Sequence, residues 1–159
     1  MERTIKYIVV HCSGNTANSK ITAKDIKDFH IKVRHFSDIG YHYVVRTDGI
    51  VELGRPCNVP GAHVKGHNKY SIGVCYVGGI DIHGKPADTR NEIQKKALDK
   101  LITDLHFSFP DALICGHRDF SKDLNHDGVI SPNEWIKNCP CFDVKKEYER
   151  YNKNAKYTL

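Results

Sequence analysis

The chain has 159 residues, 40% of them hydrophobic and 27% charged, with a formal net charge of +5. That balance describes a folded chain with a sizeable core and excludes a disordered one. No run approaches the ~18 continuous apolar residues of a membrane-spanning helix, and the cations are too scattered for a nucleic-acid tract.

The first stretch, MERTIKYIVVHCSG, has a short apolar piece with no small-residue cleavage site behind it. Synthesis in the cytoplasm without a signal peptide is therefore expected. Residues 6–12, KYIVVHC, are β-branched and apolar and predict a buried strand. Residues 22–34 open with Thr22, carry Asp25 three positions on, and place Ile26, Phe29 and Val33 at helical spacing. Residues 40–54 read as strand, Asp48-Gly49 turn, strand. The run SIGVCYVGG (71–79) predicts a central strand. Residues 89–110 put Ile93, Ala97, Leu98, Leu101, Ile102 and Leu105 on one helical stripe that ends near Pro110. ALICGH (112–117) is a second short buried strand, and 143–151 a last helix capped by Asp143. Only Lys145 to Lys156 is crowded with cations, mixed with Glu, as on a solvated helix face. Strands and helices interleave around one hairpin. The fold class is α/β: a mixed β-sheet flanked by helices.

Six cysteines (12, 57, 75, 115, 139 and 141) and ten histidines stand out. Cys75 lies inside an apolar run, so buried free thiols with one or two metal ligands are expected rather than a disulfide framework. His11 and His117 each end a predicted buried strand, where α/β proteins place their chemistry. Two histidines and one thiolate from the 139–141 pair would give Zn²⁺ three protein ligands. That leaves a fourth position open, the catalytic arrangement. Spacing alone does not choose between Cys139 and Cys141. A strand-end histidine is also common as an ordinary core residue.

The blocks VVHCSG (9–14), GYHYVVRTDGIVELGR (40–55), GAHVKGHNKYSIGVCYVGGID (61–81), GHRD (116–119) and KNCPCFDV (137–144) occur in that order. Together they resemble the zinc-dependent N-acetylmuramoyl-L-alanine amidases of the phage T-seven lysozyme type, which are also similar to peptidoglycan recognition proteins. The resemblance spans residues 5–152. It implies a single amidase domain over 1–159, with a sheet of about five strands and a zinc site in a surface groove. The implied zinc ligands are His11, His117 and Cys139, with Cys141 at the variable position of the Cys-Pro-x-Phe-Asp pattern. The implied catalytic residues are Tyr41 and Lys137. The implied reaction is hydrolysis of the amide between N-acetylmuramic acid and L-alanine. His63, beside the groove, is a candidate to touch substrate. His42 is a weaker one, because strand alternation turns it away from Tyr41. Cys115, if its strand persists, shares a face with His117 and would lie near the metal.

One departure lies between the second and third implied ligands. DLNHDGVISPNE (123–134) has the residue order of an EF-hand calcium loop. Asp123, Asn125, Asp127, the Val129 carbonyl and Glu134 would be the Ca²⁺ ligands of this insertion. It lacks a full entering helix and a second hand. The partner implied is peptidoglycan or a muropeptide, bound by a monomer, with neither nucleic acid nor membrane insertion involved. Lytic action on the wall after release or secretion leads; a recognition module without catalysis and a secreted antibacterial effector are the alternatives. The implied cysteine ligand favours the enzyme.

Overall fold

A computed structural model describes residues 3–159. In chain order its strands are β1 (Tyr7–Cys12), β2 (Asn15–Thr16), β3 (Tyr43–Val45), β4 (Val51–Leu53), β5 (Ser71–Tyr76), β6 (Gly79–Ile80) and β7 (Leu113–Gly116). The helices are α1 (Ala23–Lys32), α2 (Glu92–Ser108), α3 (Val144–Glu147) and α4 (Glu149–Asn152). Five strands form one mixed sheet in the order β4-β3-β5-β1-β7, and β2 pairs with β6 in a small second sheet. β1 lies between β5 and β7, parallel to both, and β3 is parallel to β5 but antiparallel to β4.

Alternation along β1 sorts the molecule into two sides. Ile8 and Val10 face the main core with Ile72, Val74 and Ile114, packed against Leu98, Ile102 and Leu105 of α2 and against Val144 and Tyr148. Tyr7, Val9 and His11 face the other way, and their register partners on β5 are Ser71, Gly73 and Cys75. The second face thus carries small and polar side chains, and a groove lined by His11, Tyr41 and His63 opens on it.

The helices follow local chemistry. The Thr22 side chain accepts from the Asp25 amide and Asp25 returns a bond to the Thr22 amide, which closes a capping box at α1. Ala23 and Ile26 pack with Ile39, Val44 and Val77. Phe29 and Val33, which share helical spacing with the buried Ile26, are more than half exposed. Phe29 borders the groove instead. In α2, Ile93 is exposed and Gln94 is buried. Gln94 belongs inside because its Nε2 donates to the Val77 carbonyl at 2.8 Å and its Oε1 closes the capping box with Asn91. The predicted last helix has Asp143 as its cap but breaks into α3 and α4 at Tyr148, which is held in the main core. Among the described residues, no helix is long and apolar enough to cross a membrane.

Candidate metal centre

β1 and β7 are parallel neighbours, with Val10 opposite Gly116. The residue that follows each is a histidine, so the parallel pairing brings His11 and His117 together at one end of the sheet. Their ring centroids are 4.8 Å apart. Cys139 reaches the same point on a loop fixed from three sides. The Arg118 amide donates to the Cys139 carbonyl at 2.9 Å, the Tyr76 hydroxyl donates to the Pro140 carbonyl at 2.7 Å, and Pro140 packs on Gly116. The Cys139 Sγ accepts from the Cys12 amide at 3.3 Å and lies 3.8 Å from His11 Nδ1.

One donor atom from each of His11, His117 and Cys139 lies within 4.8 Å of the others. Burial, then the neighbouring His63, His117 and Lys137, holds His11 well below the usual imidazole pKa. Burial and Lys137 bring His117 down to about 4. Both rings are therefore neutral and can offer lone pairs at neutral pH. Two neutral imidazoles and a thiol, converging from three segments, form a donor set suited to Zn²⁺ with one position open.

The centre opens into a groove of ≈1160 Å³ lined by His11, Tyr41, His63, His117, Lys137 and Cys139 among others. The Tyr41 ring lies 5.2 Å from that of His11. Lys137 is exposed on the rim. The groove also takes in Phe29, Arg34 and Lys65, so its walls mix apolar surface with positive charge.

The other candidates separate. His63 is buried and its Nδ1 lies 3.0 Å from His11 Nε2. His42 does not point away from the site. β3 begins only at Tyr43, so strand alternation does not extend back to Tyr41. The His42 ring centroid lies 5.7 Å from that of His63, the residue in contact with His11, so His42 is on the His11 side of the sheet. It lies beneath the groove, with Nδ1 accepting from the Gly73 amide at 2.9 Å and Nε2 donating to the Val59 carbonyl at 3.0 Å. Cys115 is not at the metal centre. Its strand ends at Gly116 and His117 starts a 3-10 turn, which breaks the alternation. Cys115 is buried with Tyr7, Val9 and Val64.

All six cysteines are free. Cys141 adopts a left-handed φ of 72°, and its Sγ rests 3.8 Å from that of Cys12 rather than among the three converging donors. In the 123–134 loop the carboxylates serve the loop itself. Glu134 Oε1 accepts from the Leu124 and Asn125 amides, and Oε2 accepts from the Ser131 amide and hydroxyl. Those bonds, the Ser131 amide foremost, bring the Glu134 pKa down to about 2. Asp123 accepts from the Asp127 and Gly128 amides.

Sequence reasoning missed Ser71, whose hydroxyl lies 3.2 Å from His63 Nε2. The signal was in β5. Ser71, Gly73 and Cys75 alternate with Ile72, Val74 and Tyr76, a small-large rhythm inside an apolar run.

The family model described as N-acetylmuramoyl-L-alanine amidase (Amidase_2) matches residues 1–140. The endolysin of Klebsiella phage KP32 is 37% identical over 143 residues, covering 90% of this chain and 85% of that one. Among solved structures, the Ph2119 endolysin of a Thermus scotoductus bacteriophage superposes with a TM-score of 0.71 at 26% identity, covering 96% of this chain and 87% of that one. A human peptidoglycan recognition protein, PGRP-Iβ C, solved in complex with glycosamyl muramyl pentapeptide, gives a TM-score of 0.63 at 25% identity, covering 79% and 80%.

Proposed function

The chain belongs to the N-acetylmuramoyl-L-alanine amidase family, and from that premise we propose that its groove is the active site and that His11, His117 and Cys139 hold a catalytic Zn²⁺ there. The observation that carries this reading is the convergence of those three donors at the floor of the groove. A Zn²⁺ ion bound by them supplies Lewis acidity and a water acidified to a pKa of about 7.

The protein's own residues supply the rest. Amide hydrolysis builds negative charge on the carbonyl oxygen, and donors placed at that point lower the barrier. Lys137 offers a compact cation from the rim. Burial, then the thiols of Cys75 and Cys139, raise the Tyr41 pKa well above the ordinary phenol value, so Tyr41 stays protonated as a hydrogen-bond donor. The mixed walls of the groove suit a sugar-peptide substrate that carries both apolar side chains and carboxylates. The proposed substrate is peptidoglycan or its muropeptides. One chain supplies every residue of this site, which supports action as a monomer. The site of action is the cell wall, after release or secretion.

The test is release of soluble muropeptide from purified sacculi. Wild-type protein releases it, and Cys139→Ala loses both activity and bound zinc. Undiminished activity in that variant would falsify the ligand assignment.

For the insertion, the residue order Asp123, Asn125, Asp127, Val129, Glu134 supports a Ca²⁺ site that braces the segment leading to Lys137 and Cys139. The Glu134 carboxylate must then give up its bonds from the loop amides and turn its oxygens to the ion. Calorimetric titration of the zinc-loaded protein is expected to show Ca²⁺ binding. No heat up to millimolar Ca²⁺ would leave Glu134 as a latch for the loop alone.

A further inference from the structure

We infer that His63 is a positioning residue: held by Ser71, it fixes the proton of His11 on Nε2, so that His11 presents its Nδ1 lone pair to the metal centre. This deepens the reading of the groove as a zinc site and rests on it.

The argument runs inward from a fixed end. The Ser71 hydroxyl is fully buried and donates to the His67 carbonyl at 3.0 Å. A hydroxyl has one proton to give. Toward His63 Nε2, 3.2 Å away, it can only accept, so Nε2 carries a hydrogen. His63 is 9% exposed and His11 1%. Among the described residues, no carboxylate is hydrogen-bonded to either ring. Both are neutral, with one N–H each. The Nδ1 of His63 is then an acceptor. It takes its bond from His11 Nε2–H at 3.0 Å. The remaining nitrogen of His11, Nδ1, is the one 3.8 Å from Cys139 Sγ. The direction of every bond from the His67 carbonyl to the metal centre is thereby determined.

The surroundings of His63 are built to keep it there. Its own amide and that of Val64 both donate to Asn68 Oδ1, at 2.8 and 2.9 Å. Its ring lies against two glycines. A Cβ on Gly73 would come within 2.7 Å of the ring carbons, and one on Gly61 within 2.6 Å. The alternation of small residues on β5 noted above is what makes room for the imidazole. Groups that orient a ligating histidine through its second nitrogen change metal affinity by about 10–100-fold when removed.

The test uses the full chain with and without zinc. In the metal-free protein, long-range ¹H–¹⁵N spectra are expected to show His11 as the Nε2–H tautomer in wild type and as a tautomer mixture in Ser71→Ala and His63→Ala. Competition with a chromophoric chelator is expected to show zinc held about 10–100-fold more weakly in His63→Ala, with a smaller loss in Ser71→Ala. Ser71→Ala leaves the His63 ring in place, so it reports on the relay even where His63→Ala folds poorly. An Nδ1–H tautomer in wild type, or unchanged zinc affinity in a folded His63→Ala, would overturn the inference. The tautomer is read without metal, so it stands apart from the active-site reading, which the Cys139→Ala assay decides.

Discussion

The Arg90 guanidinium lies 3.3 Å from the centroid of the Phe142 ring, three residues beyond Cys139. Its side chain is 2% exposed and is bracketed by Asp88 and Glu147, with four hydrogen bonds of 2.9 Å. Burial pushes the Asp88 carboxyl up, but its bonds to Arg90 outweigh that and bring it below the usual value. Arg90 thus fastens the segment before α2 to both the cysteine loop and α3. Arg90→Ala removes the stacked cation and strands two carboxylates. Both acids are about a third exposed, so the cost falls below that of a fully buried pair, at about 2–3 kcal/mol. Arg90→Lys keeps the charge but neither the fork nor the stacking plane, and should recover less than half of the loss. Denaturant melts of the two variants check both statements. Equal stability of Arg90→Ala and wild type would show that the bracket contributes nothing.

The sequence made some of this architecture legible and hid the rest for definable reasons. His11 and His117 were readable because each follows a run of buried residues, and parallel neighbours necessarily align such ends. The capping box of α1 was readable because it is local, closing within three residues. Arg90 was not, because its partners at 142 and 147 are more than fifty residues away. His42 misled because the alternation rule was applied to Tyr41 and His42, which both precede the strand. Phe29 and Val33 have the spacing of a core stripe, and periodicity cannot tell a buried stripe from one that flanks an open groove. Cys141 is oriented by its left-handed backbone, which sequence does not report.

Lys137 and Tyr41 carry a kinetic prediction. Lys137→Met should lower kcat by about 10²–10³ with a small change in KM, as expected when a donor to developing charge is lost. Tyr41→Phe should move kcat in the same direction. Neither residue is among the three metal donors, so both variants should retain stoichiometric zinc by elemental analysis. A Lys137→Met protein whose loss of activity tracks loss of zinc would make the lysine a support for the ligand loop instead.

Glu134 holds the insertion with four donors from Leu124, Asn125 and Ser131. In Glu134→Ala those amides are left to water. The rate of proteolytic cleavage between 123 and 134 should rise several-fold while the main melting transition barely moves, since the loop adds little to the sheet core. The sign with pH follows from the lowered pKa. The contribution of Glu134 is complete above the ordinary Glu value of 4.5 and is lost as pH falls through about 2. Loop cleavage in wild type at pH 5 should therefore match that at pH 7 under an acid-tolerant protease corrected for its own profile.

His42 makes the metal-free protein acid-sensitive in a different window. Burial, and then the cations Arg3 and Arg55, bring its pKa down from 6.5 to about 4, although the Val59 carbonyl pulls the other way. A proton on Nδ1 would also remove the acceptor that the Gly73 amide uses at 2.9 Å. As pH falls below 6.5 the unfolded chain takes up this proton and the folded one does not, so stability declines. The loss is complete once pH passes about 4 and the folded form titrates too. A shift of that size corresponds to at most about 3 kcal/mol. His42→Asn keeps an acceptor near the position of Nδ1 and has nothing to titrate. Denaturant unfolding of the apoprotein at pH 7.5 and 4.5 should show a large drop for wild type and a smaller one for His42→Asn. The residual drop belongs to His11, His63 and His117, whose pKa values burial also lowers. Identical drops in the two proteins would mean that His42 accepts its proton in the folded state as readily as in the unfolded one.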